Sequence, residues 1–220
     1  MLFGKKLKIF SVVFICFVGT KIILIPPLLY AQKVKELIPY LQQMGYTDEE
    51  ISSIEKIVEE AVNNKLPEKY LYYRIKEGIS KKVDYIMLYT TLIDKVSKLR
   101  IAKTLITKLF KEELQRDTDY SMISLSEMLE AGLPVHIIVK LGNAANNANV
   151  TTKEFVGYIE LLKTARLDKI PEEAAISIVT EAISKKQPYK EVRNCIDKLK
   201  LQRMKEEITK EYIEKKLINR

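Results

Sequence analysis

The chain has 220 residues, with 37 Lys and Arg against 29 Asp and Glu, one histidine, two cysteines and no tryptophan. Its 7 glycines and 7 prolines are too few for a fold of strands and tight turns. One histidine leaves no set of imidazoles for a metal centre, which normally takes three or four His, Cys or carboxylate ligands.

The first 31 residues differ from the rest. Lys5, Lys6 and Lys8 precede an apolar run, Lys21 interrupts it, and IILIPPLLYA leads to Gln32 with no acidic residue before Glu36. A basic start, a short apolar stretch and a small residue before a polar junction predict a signal peptide over 1–31, cleaved after Ala31. The expected destination is the periplasm. The alternative is an uncleaved inner-membrane anchor over 9–31; a span needs about 20 apolar residues, and Lys21 and Pro26-Pro27 break this one. Cys16 follows bulky Phe14 and Ile15, which does not fit a lipid-attachment cysteine. Without the leader only Cys195 remains, so packing and not a disulfide has to hold the fold.

From 32 onward apolar residues recur at steps of three and four, which predicts an all-α chain. The expected helices are 33–44, 47–64, 67–82, 84–116, 120–131, 134–147, 151–166, 171–186 and one from 188 to near the end. Thr47 with Glu50 and Thr151 with Glu154 have capping-box spacing. Pro67, Pro134, Pro171 and Pro188 suit first helical turns, where a missing N–H costs nothing. Pro39 is expected to kink or end the first helix. NAANNAN at 143–149 reads as a frayed end and loop. With short connections, neighbours should fold back as helical hairpins. The predicted architecture is thus an α-solenoid-like array of short hairpins with two longer helices: a repeat domain over 32–186, then a basic C-terminal helix over 187–220.

One stretch is written twice. Residues 66–85, LPEKYLYYRIKEGISKKVDY, align without gaps on 170–189, IPEEAAISIVTEAISKKQPY, with eight of twenty positions identical. Leu71, Ile75 and Ile79 form a stripe that Ala175, Val179 and Ile183 repeat, and these six are the expected repeat core. Small Gly78 and Ala182 mark places for a close helix approach. Proline and glutamate suit a helix start and lysines its negative C-terminal end, so the doubling describes a building unit and needs no shared chemistry.

Residues 66–106, with AGLPVHIIVKLGNAA after them, resemble a group of exported bacterial proteins. Their pattern is Leu-Pro, an apolar Lys-Glu-Gly helix, then a long helix ending in Ala-x-x-Leu. The resemblance implies an all-α extracytoplasmic protein without an established activity and supplies no catalytic residue.

Little in the chain reads as chemistry. His136 stands alone and fits a helix surface. Cys195, on the stripe Val192–Ile196–Leu199, is expected in the core. Ser53 and Lys56 match S-x-x-K, but the S-D-N and K-T-G partners are missing. Glu49-Glu50 and Glu59-Glu60 carry the alternative reading, a peptidoglycan- or protein-modifying envelope enzyme working with carboxylates, which needs two carboxyls about 5–9 Å apart. No cofactor is implied.

Two features suggest contacts. Tyr70, Tyr72 and Tyr73 cannot all face one core, so one or two should be partly exposed to a partner. The segment from Lys185 carries 12 basic and 6 acidic residues, against 21 and 23 over 32–184. Its stripe of Leu201, Met204, Ile208 and Tyr212 suits packing on the array or self-association. Alternating Lys and Glu argue against lipid, and an exported chain argues against nucleic acid. The sequence therefore points to a cell-envelope scaffold with an unidentified protein partner, and to membrane contact only if the leader is kept.

Overall fold

The computed structural model describes residues 33–110 and 118–218, with side chains through Glu207. The leader and the predicted helical residues 111–116 lie outside the described residues. Those described are all-helical, with nine helices and no strand: α1 (Ile38–Gln43), α2 (Asp48–Asn63), α3 (Glu68–Ser80), α4 (Tyr85–Phe110), α5 (Thr118–Glu130), α6 (Val135–Asn147), α7 (Thr152–Leu167), α8 (Glu172–Ser184) and α9 (Tyr189–Ile218). No described helix is long and apolar enough to cross a membrane. The chain divides into two compact units, Met1–Val96 and Ser97–Arg220, with the boundary inside α4.

In the first unit the expected helix over 33–44 is interrupted. A helical turn at 33–35 gives way to a bend at 36–37, and α1 restarts with Pro39 in its first turn. Proline has no N–H to continue the ladder, so a restart is the conformation it tolerates. α2 opens on a complete capping box: Thr47 Oγ1 accepts from the Glu50 N–H, and the Glu50 carboxylate accepts from the Thr47 N–H. Its stripe of Ile51, Ile54, Ile57, Val58 and Ala61 is buried, with α1 and α3 packed against it. Val34, Leu37 and Leu41 join this core, as do Leu71 and Ile75 from α3 and Leu88, Leu92 and Val96 from α4. Gly78 is where α3 meets the start of α4. A Cβ there would lie 2.8 Å from Leu88 Cδ1, so a larger residue would have to displace the end of the Leu88 side chain.

The second unit centres on α7, which packs against α5, α6, α8 and α9. Buried on α7 are Phe155, Val156, Tyr158, Ile159, Leu161, Leu162 and Ala165, two faces of the helix. Phe155 meets Phe110 with ring centroids 5.1 Å apart. α6 runs through Asn147, so NAANNAN is mostly helix and not loop. Ala145 is buried on the same stripe as Ile138 and Leu141, and that packing outweighs the weak helix preference of asparagine. Cys195 is exposed, contrary to expectation, while Val192 and Ile196 are buried. The buried edge of α9 runs on the other side of the stripe, and the thiol falls just outside it.

The two units share a local plan at a constant offset of 104 residues. α2 and α7 each have 16 residues, α3 and α8 each have 13, and their first residues differ by 104. The capping box of Thr47 and Glu50 recurs at Thr151 and Glu154. Left-handed residues pair as well: Gly45 with Asn149, Lys65 with Lys169, and Lys82 with Lys186. Each ends its helix with the same two bonds; the Lys82 and Val83 N–H groups bond the Ile79 and Gly78 carbonyls, and Lys186 and Gln187 bond Ile183 and Ala182. This is the Schellman closure, which satisfies carbonyls left over at a helix end. Of the six expected repeat-core residues, Leu71, Ile75, Ala175, Val179 and Ile183 are buried, whereas Ile79 is only half-buried.

Candidate partner-contact surface

The tyrosine run on α3 separates by burial. Tyr70 is 9% exposed and Tyr73 is 54% exposed, with Tyr72 between them. Tyr70 therefore leaves the set of expected contact residues. Its hydroxyl accepts a bond from Arg74 Nη2 at 2.9 Å, and the guanidinium carbon lies 4.7 Å from its ring centroid. Arg74 also pairs with Glu77 at 2.8 Å, and Lys81 pairs with the same carboxylate at 2.6 Å. Hydrogen bonds from Lys81 and then Arg74 hold the Glu77 carboxyl at about 2. Tyr70 thus anchors one end of an ordered ionic chain along α3.

Tyr72 and Tyr73 remain available. Their rings meet edge-on at 5.7 Å, with Lys76 Nζ 5.7 Å from the first ring and Lys69 Nζ 5.9 Å from the second. An aromatic pair flanked by cations offers ring faces for stacking and positive charge for an acidic group. Helical spacing puts Tyr72, Lys76 and Ile79 on one side of α3.

Ile79 opens onto a groove of about 510 Å³ whose lining includes Tyr40, Gln43, Met44, Tyr46, Lys82 and Asp84. Tyr46 donates to the Val83 carbonyl at 2.8 Å and meets Tyr85 edge-on at 6.0 Å. Burial, with Asp84 and Glu50 adding negative potential, pushes its hydroxyl up to about 12. It therefore stays a protonated donor at neutral pH and supplies no nucleophile. In the second unit the counterpart of Ile79, Ile183, is fully buried. There the Gln187 carbonyl is satisfied by Tyr158 from α7. The counterparts of Tyr72 and Tyr73 are Ile176 and Ser177, so the aromatic pair belongs to the first unit alone.

The remaining candidates are structural. His136 lies exposed on α6. Ser53 Oγ donates to the Glu49 carbonyl at 2.8 Å within its own helix turn, as unreactive helix serines do. Among the described residues, no three His, Cys, Asp or Glu side chains could share a metal ion. Glu55 and Glu59 line a second groove, of about 360 Å³, with Val34, Lys35 and Val58.

Sequence reasoning missed Glu68. Burial lifts its carboxyl to about 7, and its Oε1 is buried without a hydrogen-bond partner. The counterpart Glu172 lies 3.7 Å from Arg166. At the position matching Arg166 the first unit has Val62. The signal was in the alignment, at a residue outside the doubled stretch. Compared with family models, curated proteins and solved structures, the chain matches none.

Proposed function

We propose that the protein is an exported helical-repeat scaffold that holds a partner protein of the cell envelope on the exposed side of α3. The observation that carries this reading is the Tyr72–Tyr73 pair, with a lysine over each ring. It stands at the head of a face that leads to the groove below Ile79, and the matching face of α8 lacks it. The constant 104-residue offset supports a repeat-built chain, since two-helix units that close with one turn geometry are how helical arrays are assembled. The basic-then-apolar leader supports export.

The test is crosslinking and affinity capture from the native envelope, comparing the wild-type chain with Tyr72→Ala/Tyr73→Ala. A specific partner recovered by the wild type should fall at least tenfold with the double variant, the loss expected when two aromatic anchors are truncated at about 1 kcal/mol or more each. Equal recovery by both chains, or no specific partner, rejects the reading.

A further inference from the structure

The outward side of α4 carries an inference that goes beyond the α3 reading and does not depend on it. Tyr85 opens α4 and Tyr189 opens α9, again 104 residues apart. The buried stripe behind them is the same in kind, Leu88 and Leu92 on the first helix, Val192 and Ile196 on the second. The outward side is not. At the exposed positions where α9 has Lys190, Glu191, Asn194 and Asp197, α4 has Ile86, Met87, Thr90 and Ile93. Ile86 is 71% exposed, Met87 55% and Ile93 45%. Ile86, Thr90 and Ile93 follow at steps of four and three, so they form a line along the helix, with Met87 beside it. Single apolar residues on a surface need no explanation, but a line of them where the matching helix is charged marks a contact.

The charge of the same helix selects what covers it. α4 holds Lys95, Lys98, Arg100, Lys103 and Lys108 against the single acid Asp94, and Lys81 and Lys82 stand in the turn before it. Asp84 is engaged with the helix start, its Oδ1 accepting from the Met87 N–H at 2.8 Å. Pairing α4 with α4 of a second copy would set one positive helix against another, which opposes self-association. An anionic lipid surface offers negative headgroups to the lysines and an acyl boundary to the isoleucines. Tyr85 and Tyr89, half-exposed with ring centroids 5.3 Å apart, flank the apolar line, and tyrosine is favoured at the depth of the headgroups. We propose that this side of α4 lies in the surface of an anionic membrane, its isoleucines dipped into the acyl boundary without crossing it.

The chain has no tryptophan, so Met87→Trp places a single reporter on this side of α4 and Glu191→Trp a matched one on α9. Each full-length variant is titrated with vesicles of phosphatidylglycerol mixed with phosphatidylcholine, and with phosphatidylcholine alone. On the anionic vesicles the Met87→Trp emission should move to shorter wavelength. It should also lose about half its intensity to brominated acyl chains, since interfacial helices sit roughly 5–10 Å deep. Glu191→Trp should show neither change. Adding Ile86→Thr/Ile93→Thr to Met87→Trp should raise the lipid concentration needed at least about tenfold, because two apolar side chains no longer leave water. Raising ionic strength from about 0.05 to 0.3 M should weaken the response severalfold. Circular dichroism should show unchanged helicity, since all the substituted side chains are exposed. An unshifted Met87→Trp overturns the proposal. An equal response from Glu191→Trp does so too, being what a leader drawing the whole chain into lipid would give. A response as strong on phosphatidylcholine alone overturns the anionic surface as the occupant. A shift that follows protein concentration with no vesicle present overturns it in favour of self-association.

Discussion

The helices α2 and α7 are the same rod put to different uses. They agree in length, in the capping box that starts them, in the left-handed lysine that ends them and in the spacing of one buried stripe. Ile51, Ile54, Ile57, Val58 and Ala61 on the first match Phe155, Tyr158, Leu161, Leu162 and Ala165 on the second. They part on the next face round the helix, which is polar on α2 and buried on α7. The comparison separates what the fold demands from what an individual surface adds. Caps, closures and the common stripe are requirements of the unit; the second face is free to change.

If the common stripe is a requirement, truncating it should be expensive in both copies. Phe155→Ala is expected to cost about 3–5 kcal/mol and Ile51→Ala about 2–5 kcal/mol, the range for buried large-to-small changes. Equilibrium denaturation of each variant, followed by circular dichroism, gives both values. A loss below about 1 kcal/mol at either position would break the equivalence there, since full burial is what makes truncation costly.

The comparison is sharpened by the one carboxyl that differs in its support. Glu172 has Arg166 nearby, while the position matching Arg166 in the first unit is Val62, and burial lifts Glu68 to about 7. Its folded-state value is above the ordinary 4.5, so the folded chain holds the proton more tightly than the unfolded chain. The stability this gives is complete below the unfolded value and is lost as pH rises through about 4.5 to 7. Glu68→Gln should therefore stabilise the protein at pH above 7 by about 1 kcal/mol, after allowance for solvent screening, and flatten the stability curve over that window. Glu172→Gln should not. The pH dependence of the denaturation midpoint in the two variants decides the matter. Val62→Arg offers the missing cation and is expected to pull the Glu68 carboxyl down.

Much of the helical plan was legible in the sequence because periodicity and caps are local. Thr47–Glu50, Thr151–Glu154 and the Leu-Pro starts mark helix ends with no tertiary information. The extent of the internal correspondence was not legible, because letter identity is dense only over 66–85 and 170–189 and is scattered before them, as at Thr47/Thr151 and Glu50/Glu154. Elsewhere it survives as burial and backbone angle, with Ile51 against Phe155 and Gly45 against Asn149. The surface was harder still. Which of Tyr70, Tyr72 and Tyr73 is covered depends on which side of α3 is buried with Leu71 and Ile75, and a single-residue difference in register separates buried Ile196 from exposed Cys195.

The smallest expected effect tests the turn that the two units share most closely. Lys65, Lys82, Lys169 and Lys186 all have φ between 50 and 55. An L-residue with a Cβ pays roughly 1 kcal/mol in that left-handed region, and glycine does not. Yet each lysine stands at the negative end of a helix, where its charge recovers part of that cost. Glycine also loses more backbone freedom on folding. Lys82→Gly and Lys186→Gly should therefore each stabilise by only about 0.5 kcal/mol, and by nearly the same amount, because the two turns make the same pair of closing bonds. Salt should widen the gain by screening the lysine that the substitution removes. Thermal denaturation of the two single variants and the double variant measures the effect. Unequal shifts would mean that the turns differ in strain despite matching in geometry, and the 104-residue correspondence would then hold for shape but not for energy.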